Sequence, residues 1–160
     1  MGNDGWAAPR HRPAFGSGLA PARRLDGKWG SVDARGAWAL EPRWDFASPF
    51  SRDARSGGGA TAVVGLGTTQ GAIDRTGATV LPPVYARVFD ADEGLRPLCE
   101  ATTGASSATS TAPLICYVVA PDGVRTYLPV GTEITAGLRG GLLSVARAGK
   151  HGWWEIVARR

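Results

Sequence analysis

The chain has 160 residues, a formal net charge of +4, 43% hydrophobic residues, 23 glycines and 11 prolines. That length suits one domain able to bury roughly two-thirds of its unfolded surface. Gly and Pro weaken helix interiors by about 1 and 3 kcal/mol relative to Ala; their spread along the whole chain excludes long helices and favours short strands joined by turns. Sixteen of the 18 basic residues are Arg, scattered among acids. Only Arg10, His11, Arg12, Arg23 and Arg24 approach a cluster, so nucleic acid is not the expected partner. No run of 18 apolar residues occurs, so no membrane span is expected. The first 15 residues lack an apolar core, so no secretory signal is expected either, and the expected location is cytoplasmic. Cys99 and Cys116 are too few for a disulfide framework and are expected as small buried thiols, although a bridge across the polar loop between them is geometrically open.

Asp4-Gly5-Trp6-Ala7-Ala8-Pro9 in the N-terminal segment (1–14) reads as a lone strand. A repeat domain follows over 15–160, with units at 15–49, 50–88, 89–133 and 134–160. In the first unit, residues 18–22 read as a strand, and Asp26-Gly27 is a dipeptide suited to a type I′ hairpin turn. Residues 28–33 return as a second strand. Asp33-Ala34-Arg35-Gly36 has the polar first and glycine fourth residue of a type I turn. Trp38-Ala39-Leu40 makes a third strand, expected to stop at Pro42 because proline cannot donate to a ladder. The second unit takes residues 62–64, 70–74 and 79–81 as strands, the last ended by Pro82-Pro83. The third takes residues 93–98, then a Ser/Thr/Ala-rich loop at 101–112, then 114–119, with Asp122-Gly123 as its turn and residues 127–129 closing it. The fourth is half a unit, with strands at 141–145 and 152–157 around Ala148-Gly149-Lys150.

These units echo one another. Gly30-Ser31-Val32-Asp33-Ala34-Arg35-Gly36 aligns with Gly71-Ala72-Ile73-Asp74-Arg75-Thr76-Gly77 at a spacing of 41 residues, and Leu40, Pro42 and Trp44 fall on Leu81, Pro83 and Tyr85. Such a period marks one supersecondary unit copied in tandem. Strand alternation places Val32, Ile73, Val119 and Trp154 at one inward position and Leu40, Leu81 and Tyr127 at another. Trp29 and the turn residues belong to the same pattern, and Trp44 and Tyr85 are expected to wedge between units. The expected fold is all-β: about three and a half tandem three-stranded meanders, closed on themselves if the N-terminal strand completes the last unit.

The sequence Phe15-Gly16-Ser17-Gly18-Leu19-Ala20-Pro21, followed by Asp26-Gly27-Lys28-Trp29-Gly30, Val32-Asp33, Gly36, Pro42 and Trp44, resembles the WG-repeat family of bacteria. The resemblance spans about residues 13–157. It is closest in the first two units. The Trp of the Trp-Gly pair stands only at Trp29 and is replaced by Gln70, Cys116 and His151. The resemblance implies an all-β repeat used for interaction and implies no catalytic activity.

Residue types that carry chemistry find plainer explanations. Gly65-Leu66-Gly67-Thr68-Thr69-Gln70-Gly71 looks like a phosphate loop, yet a strand rather than a helix follows it, so a turn is expected. Asp90, Asp92 and Glu93 lack the further oxygen ligands of a calcium loop. His11 and His151 join no zinc-type set. Asp33 and Asp74 recur with the scaffold, which suits turn capping. No catalytic, cofactor or metal site is therefore expected, and the chain is not expected to be an enzyme. Trp6, Trp153 and Trp154 lie near the chain ends, where an incomplete unit leaves apolar surface, and are the interface candidates. The expected function is a protein-interaction or structural subunit of a larger assembly, binding other protein subunits. The alternative is a carbohydrate- or peptide-binding module using exposed aromatics.

Overall fold

The computed structural model describes residues 6–7, 16–51, 59–92, 94–101 and 114–156. Among these residues the fold is all-β, in four antiparallel sheets. Sheet 1 orders β1 (Trp6–Ala7), β2 (Ala20–Arg24), β3 (Trp29–Val32) and β4 (Trp38–Trp44). Sheet 2 orders β5 (Phe46–Ala47), β6 (Thr61–Leu66), β7 (Thr69–Asp74) and β8 (Thr79–Tyr85). Sheet 3 contains β9 (Arg87–Val88), β10 (Arg96–Ala101), β11 (Leu114–Val119) and β12 (Arg125–Tyr127). Sheet 4 contains β13 (Thr132–Arg139), β14 (Leu142–Arg147) and β15 (Lys150–Glu155). Each three-stranded meander thus gains a leading strand, which is two residues long in sheets 1 to 3. The leading strand β13 of sheet 4 has eight residues and was not foreseen from the sequence.

The turns repeat atom for atom. Asp33 Oδ1 accepts the amides of Arg35 and Ala37 at 2.8 and 3.0 Å, and Asp74 Oδ1 accepts those of Thr76 and Ala78 at the same distances. Gly36 and Gly77 follow at φ 82° and 84°, a left-handed backbone open to glycine at little steric cost. The Asp26-Gly27 turn differs from its expected type. Gly27 N–H donates to Arg24 O, so the central residues are Leu25 and Asp26, neither with positive φ, and Gly27 follows them at φ 91°. That combination is a type I turn closed by a glycine bulge rather than the type I′ turn, which needs positive φ at both central residues.

Proline does not stop the fourth strand of sheets 1 and 2; it sits inside it. In β4 the register jumps between the pairs Trp29↔Trp44 and Ser31↔Leu40, so three residues, including Pro42, oppose Gly30. A bulge removes the need for the missing proline N–H. The bulged backbone passes so close to the facing strand that only glycine fits there. A Cβ on Gly30 would lie 2.4 Å from Leu40 O and 2.8 Å from Pro42 N; one on Gly71 would lie 2.5 Å from Leu81 O and 2.8 Å from Pro83 N. Sheet 3 carries Tyr117 at this place. There β12 has three residues, pairs without a register shift, and sets Tyr127 opposite Tyr117.

The chain divides into two compact units, one made of residues 1–52 and 60–83, the other of residues 53–59 and 84–160. In the first, Leu19, Trp44, Ala47, Phe50, Ala62, Val64 and Ile73 form a core, with Trp29 and Leu40 packed against it. On the other face of sheet 1, Ala20, Ala22 and Val32 form a smaller cluster beside Trp38. The face of sheet 1 that carries Trp29 and Trp44 therefore covers the face of sheet 2 that carries Ile73. In the second unit, Cys99, Cys116 and Val118 of sheet 3 join Ile134, Leu138, Leu143 and Val145 of sheet 4.

Cys99 and Cys116 are disulfide-bonded, where the sequence favoured free thiols. They stand directly opposite each other on β10 and β11. The carbonyl of Cys99 accepts Ala86 N–H and that of Cys116 accepts Leu128 N–H, each on the far side of its strand. The two residues are therefore a non-hydrogen-bonded pair, the antiparallel position where side chains approach most closely; their Cα atoms are 4.1 Å apart.

Among the described residues no sheet is closed by the N-terminal strand. β1 pairs with β2, Trp6 opposite Arg24, and so leads sheet 1 as β5 and β9 lead theirs. Among the described residues β15 pairs with β14 alone.

Candidate interaction edge

Sheet 4 has a leading strand and a central hairpin but, among the described residues, no fourth strand. Ile156 N–H donates to Gly141 O at 2.8 Å, and the β14–β15 register is unbroken from there. By antiparallel alternation, Lys150, Gly152 and Trp154 direct their backbone groups to β14, whereas His151, Trp153 and Glu155 turn theirs to the open side. Every residue of β15 is exposed.

Its two faces differ. Gly152 and Trp154 stand opposite Val145 and Leu143, both buried, so they continue the core face of the sheet to its rim. Val32 and Ile73, at the place of Trp154, are buried, yet Trp154 is 38% exposed. The other face carries Leu142, Ser144 and Ala146 with His151, Trp153 and Glu155 opposite them, and Trp153 is 70% exposed. This outer face is the counterpart of the one that stacks on a neighbouring sheet within each compact unit.

Other sequence-selected residues settle as follows. Val32, Ile73, Trp44, Gly30 and Gly71 are buried. Leu40, Leu81, Val119, Trp29 and Tyr85 are half-buried, as are the turn residues Asp33, Gly36, Asp74 and Gly77. Tyr127, expected inside, is 58% exposed, since β12 is the edge strand of sheet 3. Its ring lies 5.1 Å from that of Tyr117, whose hydroxyl donates to Glu100 while the Arg125 guanidinium covers the ring at 4.9 Å. Burial, and then that hydrogen bond, hold the Tyr117 phenol well above its ordinary value. The glycine-rich segment at 65–71 is the β6–β7 hairpin, and Gly67 N–H donates to Asp45 there. Asp92 caps the β13–β14 turn by accepting Gly140 N–H at 2.6 Å. Trp6 is placed by its backbone alone; Phe15, Arg10, His11, Arg12, Glu93 and the loop at 102–113 lie outside the described residues.

Residues 29–54 and 71–95 match the family model described as WG containing repeat. The chain carries WG repeats. Each matched stretch begins at the Trp29-Gly30 position or its equivalent and runs through the bulged strand to the leading strand of the next sheet. The WG unit therefore contains both the glycine and the backbone that crosses it. No curated protein and no solved structure matches the chain.

Proposed function

We propose that this WG-repeat protein is a non-catalytic interaction module that joins other protein subunits through the exposed face of sheet 4. The exposure of Trp153, flanked by Leu142, carries the proposal. A large rigid aromatic exposed on a sheet face is the kind of residue that anchors protein interfaces. The same face, in sheets 1 and 3, is where a neighbouring sheet packs, so its shape suits a flat polypeptide partner. A disulfide such as Cys99–Cys116 persists in oxidising surroundings, so the cytoplasmic expectation forms no part of the proposal.

The test immobilises the protein and its Trp153→Ala variant and compares the proteins each retains from the native source. Loss of a defined set with Trp153→Ala, at an unchanged melting temperature, supports the reading. Identical sets on both proteins overturn it. Acrylamide quenching relieved by oligosaccharides, with no protein retained, assigns the exposed tryptophan to glycan binding instead.

A further inference from the structure

The glycine at 152 has no work to do in the isolated sheet. An added Cβ there meets nothing within 4 Å, and its φ is not positive. Its equivalents Gly30 and Gly71 are the two positions where the backbone of a long, proline-bearing fourth strand crosses and forbids a side chain. Where the glycine gives way to Tyr117, the fourth strand shrinks to three residues without a bulge. The chain thus holds two sheets in which glycine accompanies the long fourth strand, one converse case at Tyr117, and one glycine with its strand absent among the described residues. Beside that glycine run the outward backbone groups of His151, Trp153 and Glu155, an edge that is unpaired among the described residues and of the kind that accepts an added strand.

We propose that the open edge of β15 is a docking groove for an extended segment of another polypeptide with the pattern leucine, any residue, proline, any residue, aromatic. That pattern is shared by Leu40-Glu41-Pro42-Arg43-Trp44 and Leu81-Pro82-Pro83-Val84-Tyr85, the strands seated on the equivalent edges of sheets 1 and 2. The docked segment pairs its backbone with residues 151, 153 and 155, bulges at its proline over Gly152, and covers the flank of Trp154 as Trp38, opposite Val32, covers that residue. This proposal rests on the interaction reading above and names the chemistry of the partner.

A labelled synthetic peptide with the sequence of residues 78–88, which contains no tryptophan, is titrated against the 160-residue protein and followed by fluorescence anisotropy. Saturable binding is expected, together with a blue shift of protein tryptophan emission as Trp154 is covered. Gly152→Val, at a position where an added Cβ meets nothing within 4 Å, is expected to leave the melting temperature unchanged and weaken binding at least tenfold. A scrambled peptide, and one N-methylated at alternate backbone amides, should not bind. Equal binding by Gly152→Val, or no saturable binding, overturns the proposal. So does self-association without peptide that Gly152→Val abolishes, because the occupant is then a second copy. If the peptide fails while Trp153-dependent capture persists, the interaction module stands and strand completion falls.

Discussion

Asp74 accepts three hydrogen bonds in its turn, from the Thr76 hydroxyl and from two amides. The Thr76 hydroxyl above all, then the amides, hold its carboxyl below the ordinary 3.8. Asp45 is held below the same value by Gly67 N–H and then by Lys28. Because these folded-state values are depressed, the carboxylates stabilise the fold fully above the ordinary value, and that contribution is lost as pH falls from there through the depressed values. Acid titration of the melting temperature should therefore show a decline that begins near pH 4 and flattens in an Asp45→Asn, Asp74→Asn double variant. Glycine gives a second contrast at this scale. Gly30→Ala and Gly71→Ala drive a methyl group into backbone and should cost about 1–3 kcal/mol each, the usual range for overpacking, whereas Gly152→Ala should be neutral in the same urea titrations.

Strands and turns were legible in the sequence to the extent that local chemistry fixed them. Asp33 and Asp74 announced their turns because an Asx cap needs only a carboxylate two residues before the amide it accepts. The extension of β4 and β8 beyond Pro42 and Pro83 was not legible, since the bulge depends on a glycine in a different strand. β13 was missed because its two register shifts, between Ile134 and Ala136 and between Ala136 and Leu138, break the alternation that reveals a strand. The disulfide lay in the pairing of β10 with β11, and a loop at 101–112 hid which residues would face each other. Its closed loop, with a sequence separation of 17 residues, predicts a loss of about 3 kcal/mol on reduction, from the freedom returned to the unfolded chain. Urea unfolding of the second compact unit with and without reductant measures it.

At the scale of the whole molecule the repeat was legible in the sequence, because its turn and glycine positions recur every 41 residues; Trp153, an interface candidate, is exposed, whereas Trp154, also expected in the core, is 38% exposed. Each compact unit has its own core. Ile73→Ala should cost about 2–5 kcal/mol and speed amide exchange first in β5, β6 and β7, while Leu143→Ala should cost as much and act first on β10, β11 and β14. Mass-resolved hydrogen exchange separates these patterns.

A single residue, Asp45, separates β4 from β5, and Ala86 alone separates β8 from β9. Each of these sheets thus recruits its opening strand within one peptide step of finishing the sheet before it. Scissors placed at those single links would yield fragments with whole sheets; a cut only a few positions later would strand two residues on the wrong fragment and leave the next β-meander short of a neighbour. Engineers wishing to shorten, lengthen or shuffle such arrays should therefore join pieces at 45 and 86.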